Sequence, residues 1–121
     1  MQYLLLIYDS EADWAKLSPA DQGAVYQEYG QFTREITEKG KFVGGNQLQP
    51  IASATTVRMR NGKRVVTDGP FAETKEQLGG YYLVDAKDLD EAIALAARIP
   101  SAKMGSIEVR PIVVREKAAN S

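Results

Sequence analysis

The sequence predicts an α+β domain, a ferredoxin-like βαββαβ unit carrying an inserted β-hairpin. Three observations carry this expectation. Apolar strand-like runs open and close the chain, at Tyr3–Tyr8 and Ser106–Val114. Two segments with helical spacing, each behind a strong N-cap signal, lie between strand-like runs. An Asn61-Gly62 pair joins two short alternating segments, as a hairpin turn requires. Taking the hairpin out leaves two helices on one face of an antiparallel sheet. The 121 residues fit one domain, expected over 1–114, with a frayed tail at 115–121.

In the first run, Leu4, Leu6 and Tyr8 share one face and Tyr3, Leu5 and Ile7 the other. Both faces are apolar, so both should be covered. Asp9 to Asp13 reads as a polar connection, with Trp14 and Leu17 tucking it onto the body. Ser18-Pro19-Ala20-Asp21 then opens a helix, with Ser18 as N-cap and Pro19 at the first helical position. Val25, Tyr29, Phe32 and Ile36 form its stripe at spacings of four, three and four, and Gly40 ends it. Gly30 inside the helix suggests a close helix-to-sheet approach.

Phe42–Leu48 is a second strand whose Gly44-Gly45 pair marks a bulge or a close backbone contact. Gln49 to Ala54 is a loop. Thr56–Arg60 and Arg64–Thr67 are the hairpin strands. The stretch Val66–Tyr82 is the densest in special backbone chemistry, and Thr74 and Gln77 have the spacing of a single capped helical turn. Gly80–Asp85 is a strand, and Asp88 and Glu91 cap a second helix. Leu89, Ala92, Ile93 and Ala96 make its apolar stripe, and Pro100 stops it. In the last strand, Ile107 and Val109 face one way, and Glu108 and Arg110 the other. Apolar residues on both sheet faces call for a second subunit on the helix-free face, most simply in a twofold homodimer.

Composition excludes several classes. There is no cysteine and no histidine, so thiol chemistry, a disulfide framework and the commonest zinc ligands and neutral-pH base are absent. No cofactor or metal is expected. The net charge of −1 gives no general attraction to nucleic acid or to an anionic membrane. The opening apolar run is too short to span a bilayer, and a cytoplasmic protein is the expectation. No P-loop, dinucleotide fingerprint or nucleophile elbow is present.

Asp68-Gly69-Pro70-Phe71, within VTDGPFAETKEQLGGYYL, resembles the defining motif of the DGPF-domain group of YCII-related proteins. YLLLIY at the start, VGGNQLQP (43–50), TTVRMRNGK (55–63) and IEVRP (107–111) match the same family in collinear order. The resemblance implies a ferredoxin-like homodimer whose sheets pack as a dimeric α+β barrel. Relatives in the broader family have been proposed as enzymes using a His-Asp pair. With no histidine here, only an aspartate such as Asp68 has a counterpart. The resemblance also implies an association with extracytoplasmic-function sigma factors.

Each candidate site residue has two readings. Asp68 is either turn chemistry or a catalytic acid–base group facing a cleft. Glu73 and Lys75 either meet water or close over a polar ligand. Arg58, Glu108 and Arg110 form either an interface ion-pair network or an arginine fork for a carboxylate or phosphate. Tyr82 is either a core aromatic or a hydroxyl orienting a ligand. Together they outline a pocket between the helix-free sheet face and the DGPF loop, in an enzyme or former enzyme binding a small polar or anionic molecule. The alternative is a regulatory dimer that binds a sigma factor. In a third reading, the charges only fix the dimer register.

Overall fold

The computed structural model describes residues 1–115. The expected tail lies, beyond Arg115, outside the described residues. In order, the elements are β1 (Gln2–Asp9), α1 (Glu11–Ala15), α2 (Pro19–Glu38), β2 (Phe42–Gln47), β3 (Thr55–Arg60), β4 (Lys63–Asp68), β5 (Gln77–Asp85), α3 (Leu89–Ala97) and β6 (Ser106–Pro111). Short 3-10 turns lie at Ile51–Ser53 and Pro100–Lys103. The fold is α+β, with a sheet in the order β2-β5-β1-β6, antiparallel throughout, and a separate two-stranded sheet of β3 and β4.

The caps explain where the helices begin. Ser18 Oγ accepts from the Asp21 N–H at 3.0 Å, so α2 starts at Pro19. It ends before Gly40, whose φ of +71° lets the Lys41 N–H turn back to the Ile36 carbonyl at 2.8 Å. Asp88 Oδ1 accepts from the Glu91 N–H at 2.9 Å and starts α3. Glu91 in turn receives Lys41 Nζ at 2.7 Å, tying α3 to the approach to β2.

Alternation along β1 sends Tyr3, Leu5 and Ile7 into the core, against Phe32 and Ile36 of α2 and Ala92, Leu95 and Ala96 of α3. Tyr82 and Val84 of β5 complete this layer, with Leu5, Ile36, Ile99 and Val84 fully buried. Both helices therefore cover one face. On the other face, Leu4 lies between Leu83 and Arg110, and Leu6 between Tyr81 and Glu108. Leu4, Leu6, Tyr81 and Leu83 are only half-buried there.

Several expectations need correction. The polar connection after β1 is partly helical. Ser10 accepts from the Asp13 N–H and, with acidic residues in the first turn, nucleates α1. The buried stripe of α3 runs through Ala92, Leu95 and Ala96, while Leu89 and Ile93 are about half exposed. Ala92 and Ala96 let α3 sit close to the sheet, with Leu95 packed beside them. Residues Thr74–Gln77 form no helical turn, because Thr74 Oγ1 donates to the Glu76 carbonyl and Gln77 Nε2 to the Thr74 carbonyl. These bonds divert the chain, and β5 begins at Gln77 rather than Gly80. At the close of the chain, β6 stops at Pro111 rather than Val114. A side chain at Gly30 would meet nothing within 4 Å, so no close approach accounts for it. At Gly45 the close contact is real: a Cβ would stand 2.9 Å from the Tyr81 carbonyl oxygen, beside a register shift in β2.

Asn61 and Gly62 take φ values of +52° and +73°, as a two-residue hairpin turn with positive φ at both positions demands. Val57, Met59 and Val66 of this hairpin are more than half exposed. No helix among the described residues is long and apolar enough to cross a membrane.

Candidate functional site

Asp9 is the last residue of β1 and continues the face of Tyr3, Leu5 and Ile7. Its carboxyl is therefore sent to the helix-covered side of the sheet, where it meets the open end of the core. A cavity of about 520 Å3 lies there, between α2 and the β2–β5 edge. That volume suits a small organic molecule. Segments from all over the chain build it. β1 supplies Asp9, α1 supplies Glu11 and Trp14, and α2 supplies Tyr26 and Tyr29. The β2–β5 edge and the Pro100–Lys103 turn close the remaining sides.

The floor is a set of linked hydroxyls. Tyr29 Oη and Ser101 Oγ lie 2.5 Å apart, and Tyr82 Oη lies 2.7 Å from Thr33 Oγ1. Ser101 is buried to 3% exposure, held under the sheet by the turn that Pro100 initiates. The two tyrosine rings stack with centroids 6.5 Å apart. Burial pushes the Tyr29 hydroxyl up to about 12, with the Ser101 hydroxyl opposing and the Asp9 charge adding. Burial also raises Asp9 above the ordinary aspartate range; the Ser101 hydroxyl pulls it back and Glu76 pushes it further.

Asp9 Oδ1 is buried and has no hydrogen-bond partner. It lies against Gly105, where a Cβ would stand 2.6 Å from that oxygen and 2.0 Å from the Tyr8 carbonyl oxygen. A carboxyl held this way has raised proton affinity and few internal partners. It can give or take a proton, or anchor a polar group of a ligand.

The rim is pinned by Glu11. Its Oε2 accepts from the Ile51 N–H at 2.9 Å, and its own N–H donates to Gln77 Oε1 at 2.9 Å. Gln77 also holds the Thr74 carbonyl at 2.7 Å, so the end of the DGPF loop is fastened to the cavity wall. Trp14 and Tyr26 meet edge to face at 5.4 Å on the outer side.

The match to the YCII-related domain model runs over residues 1–116. The chain belongs to the YCII-related family. An uncharacterised protein of Rhizobium meliloti (strain 1021) is 39% identical over 116 residues, covering 94% of each chain.

Of the site residues expected from sequence, Tyr82 lines the cavity of this YCII-related chain. The others lie elsewhere. Asp68 is exposed at the end of β4, in a turn held by the Gly69 N–H on the Ala54 carbonyl at 2.7 Å and by Thr56 Oγ1 on the Gly69 carbonyl at 2.8 Å. Gly69 supplies the positive φ, +94°. Arg58 Nη2 reaches the Phe71 carbonyl at 3.4 Å, so Arg58 joins the DGPF loop. Glu73 and Lys75 are exposed. Glu108 and Arg110 pair with each other at 3.3 Å on the helix-free face, and Tyr8 Oη donates to Glu108 at 3.3 Å.

The structure thus gathers two groups, Arg58 with the DGPF loop and Glu108 with Arg110. Neither group lines the cavity. Sequence reasoning missed Asp9, Tyr29 and Ser101 as a constellation. Asp9 did carry a signal: it is the one charge on the alternating set Tyr3, Leu5, Ile7, Asp9. Ser101 carried none, since its burial follows from a 3-10 turn that only the tertiary packing reveals. Among the described residues, no group of three or more acidic side chains is arranged to hold a metal ion.

Proposed function

We propose that this YCII-related protein binds, and acts by acid–base chemistry on, a small polar molecule in the cavity beside α2. The observation that carries this reading is the Asp9 carboxyl: half-buried, with Oδ1 fully buried and unpartnered, and lining a cavity floored by the Tyr29–Ser101 pair. Asp9 is the proton-carrying group of the proposal. Tyr82, through Thr33, fixes the floor beside it.

The working unit of the proposal is a homodimer of ferredoxin-like protomers, packed sheet to sheet as an α+β barrel. Two observations support it: the antiparallel order β2-β5-β1-β6 with both helices on one face, and the half-buried apolar rows of Leu4, Leu6 and Leu83 on the other. In that dimer Glu108 and Arg110 sit at the interface, and Arg58 with Asp68, Glu73 and Lys75 forms a loop beside it.

A native-mass-spectrometry screen against a metabolite extract tests the proposal, with Asp9→Asn and Arg110→Ala run beside the wild type. A metabolite held by the wild type and by Arg110→Ala, but lost from Asp9→Asn, is the expected result and justifies a search for turnover. A metabolite lost only from Arg110→Ala moves the ligand to the helix-free face. No retained metabolite on an intact wild-type assembly sinks the ligand-binding reading.

A second reading takes the exposed apolar residues Val57, Met59, Val66 and Phe71 as a surface for a protein partner, with an extracytoplasmic-function sigma factor as the occupant. Co-purification that recovers no sigma factor from cells expressing the tagged protein counts against it.

A further inference from the structure

Among the described residues, the charged side chains that line the cavity are those of Asp9 and Glu11, and no lysine or arginine lines it. Glu76 adds to the negative potential at Asp9. Several basic groups are engaged in ion pairs of their own, Lys16 with Asp13, Lys103 with Glu28 and Arg98 with Glu35. An anion entering here meets like charge with no counter-ion, which is how a site rejects a wrong ligand.

The walls favour the opposite sign. Trp14, Tyr26 and Tyr29 present aromatic surface on the helix side, and Phe42 and Tyr82 on the sheet side. Aromatic faces attract an organic cation electrostatically, more strongly once water is displaced. Of the two carboxylates, Glu11 has one oxygen committed to the Ile51 N–H, and Asp9 has one buried without a partner. Among the described residues neither carboxylate takes part in an ion pair, so their charge is left for something in the cavity to balance.

We propose that the cavity selects an organic ammonium ion, a protonated amine on a small aromatic or aliphatic body. The ammonium group sits at the Asp9–Glu11 end, and the body lies against the Trp14–Tyr26 wall. This inference rests on the cavity being a ligand site and names the class of ligand.

The test uses three probes of similar size and different charge: phenethylamine, phenethyl alcohol and phenylpropanoate. Each is titrated into the isotope-labelled full-length protein and followed by amide chemical shifts. The variants are Asp9→Asn and Glu11→Gln, whose spectra report whether each is folded; Glu11→Gln, at the rim, serves should Asp9→Asn not fold.

The amine is expected to shift cavity residues and to bind at least about tenfold more tightly than the carboxylate, as a charge-assisted contact predicts. Either substitution should bring the amine down toward the alcohol. A carboxylate that binds as well as the amine, or an amine preference that survives both substitutions, overturns the ligand class and leaves the cavity as a site. Three probes that leave every cavity resonance of the folded wild type unmoved overturn the ligand class and the ligand-site reading together.

Discussion

Replacing Asp9 by asparagine removes a group that the fold holds at a cost. Its carboxyl is raised by burial above the unfolded value of 3.8, with Ser101 opposing and Glu76 adding. The folded state therefore keeps its proton to a higher pH than the unfolded chain does. The stability linked to that proton is complete below 3.8 and is lost as the pH rises through the folded value. Asp9→Asn should accordingly be the more stable protein near neutral pH, with the gap closing in acid. Urea titrations at the two pH values check this; an equal deficit at both contradicts it. Gly105→Ala tests the same corner sterically. Its Cβ would stand 2.0 Å from the Tyr8 carbonyl oxygen, backbone that cannot move cheaply, and a loss of about 1–3 kcal/mol is expected in thermal or urea unfolding. At this scale the sequence was only half legible. Strand alternation told where Asp9 points, but the burial of its Oδ1 depends on Gly105 and the hydroxyl opposing that burial on Ser101, both more than ninety positions away in the chain.

Caps and turns make the elements readable in the sequence. Ser18 and Asp88 start their helices through the hydrogen bonds their side-chain chemistry predicts, and Asn61-Gly62 makes its turn. The 3-10 turns and the short α1 were not legible, since a three- to five-residue helix leaves too little periodicity to read. The hairpin also carries a prediction of its own. Gly62→Ala places a Cβ at φ +73°, at a cost of about 1–2 kcal/mol. Because β3 and β4 form a sheet apart from the main one, that loss should speed amide exchange in the hairpin and leave global unfolding almost unchanged. A matching drop in global stability would instead mean that the hairpin is part of the cooperative core.

For the molecule as a whole, the proposed dimer predicts where a single charge does most harm. Leu6 sits mid-row on the helix-free face, between Tyr81 and Glu108, and is half-buried in the protomer. Leu6→Glu should give a folded monomer where the wild type sediments as a dimer. A wild type that sediments as a monomer removes the barrel reading. The α+β layering was legible because each layer is built from local patterns. The cavity was not, because its lining comes from separate segments that only the packing of α2 against the β2–β5 edge brings together.

The chain contains one tryptophan, and it stands in the cavity wall. Trp14 touches Tyr26 edge to face, with its ring half-buried between α1 and α2. Its emission is therefore a single-site optical signal, free of contributions from other indoles. A molecule entering beside it displaces water from the ring, and the emission maximum should move to shorter wavelength as the site fills. An occupant on the opposite sheet face would leave the colour unchanged. The protein thus carries its own dye at the place in question, and a fluorimeter can tell the two faces apart without any label.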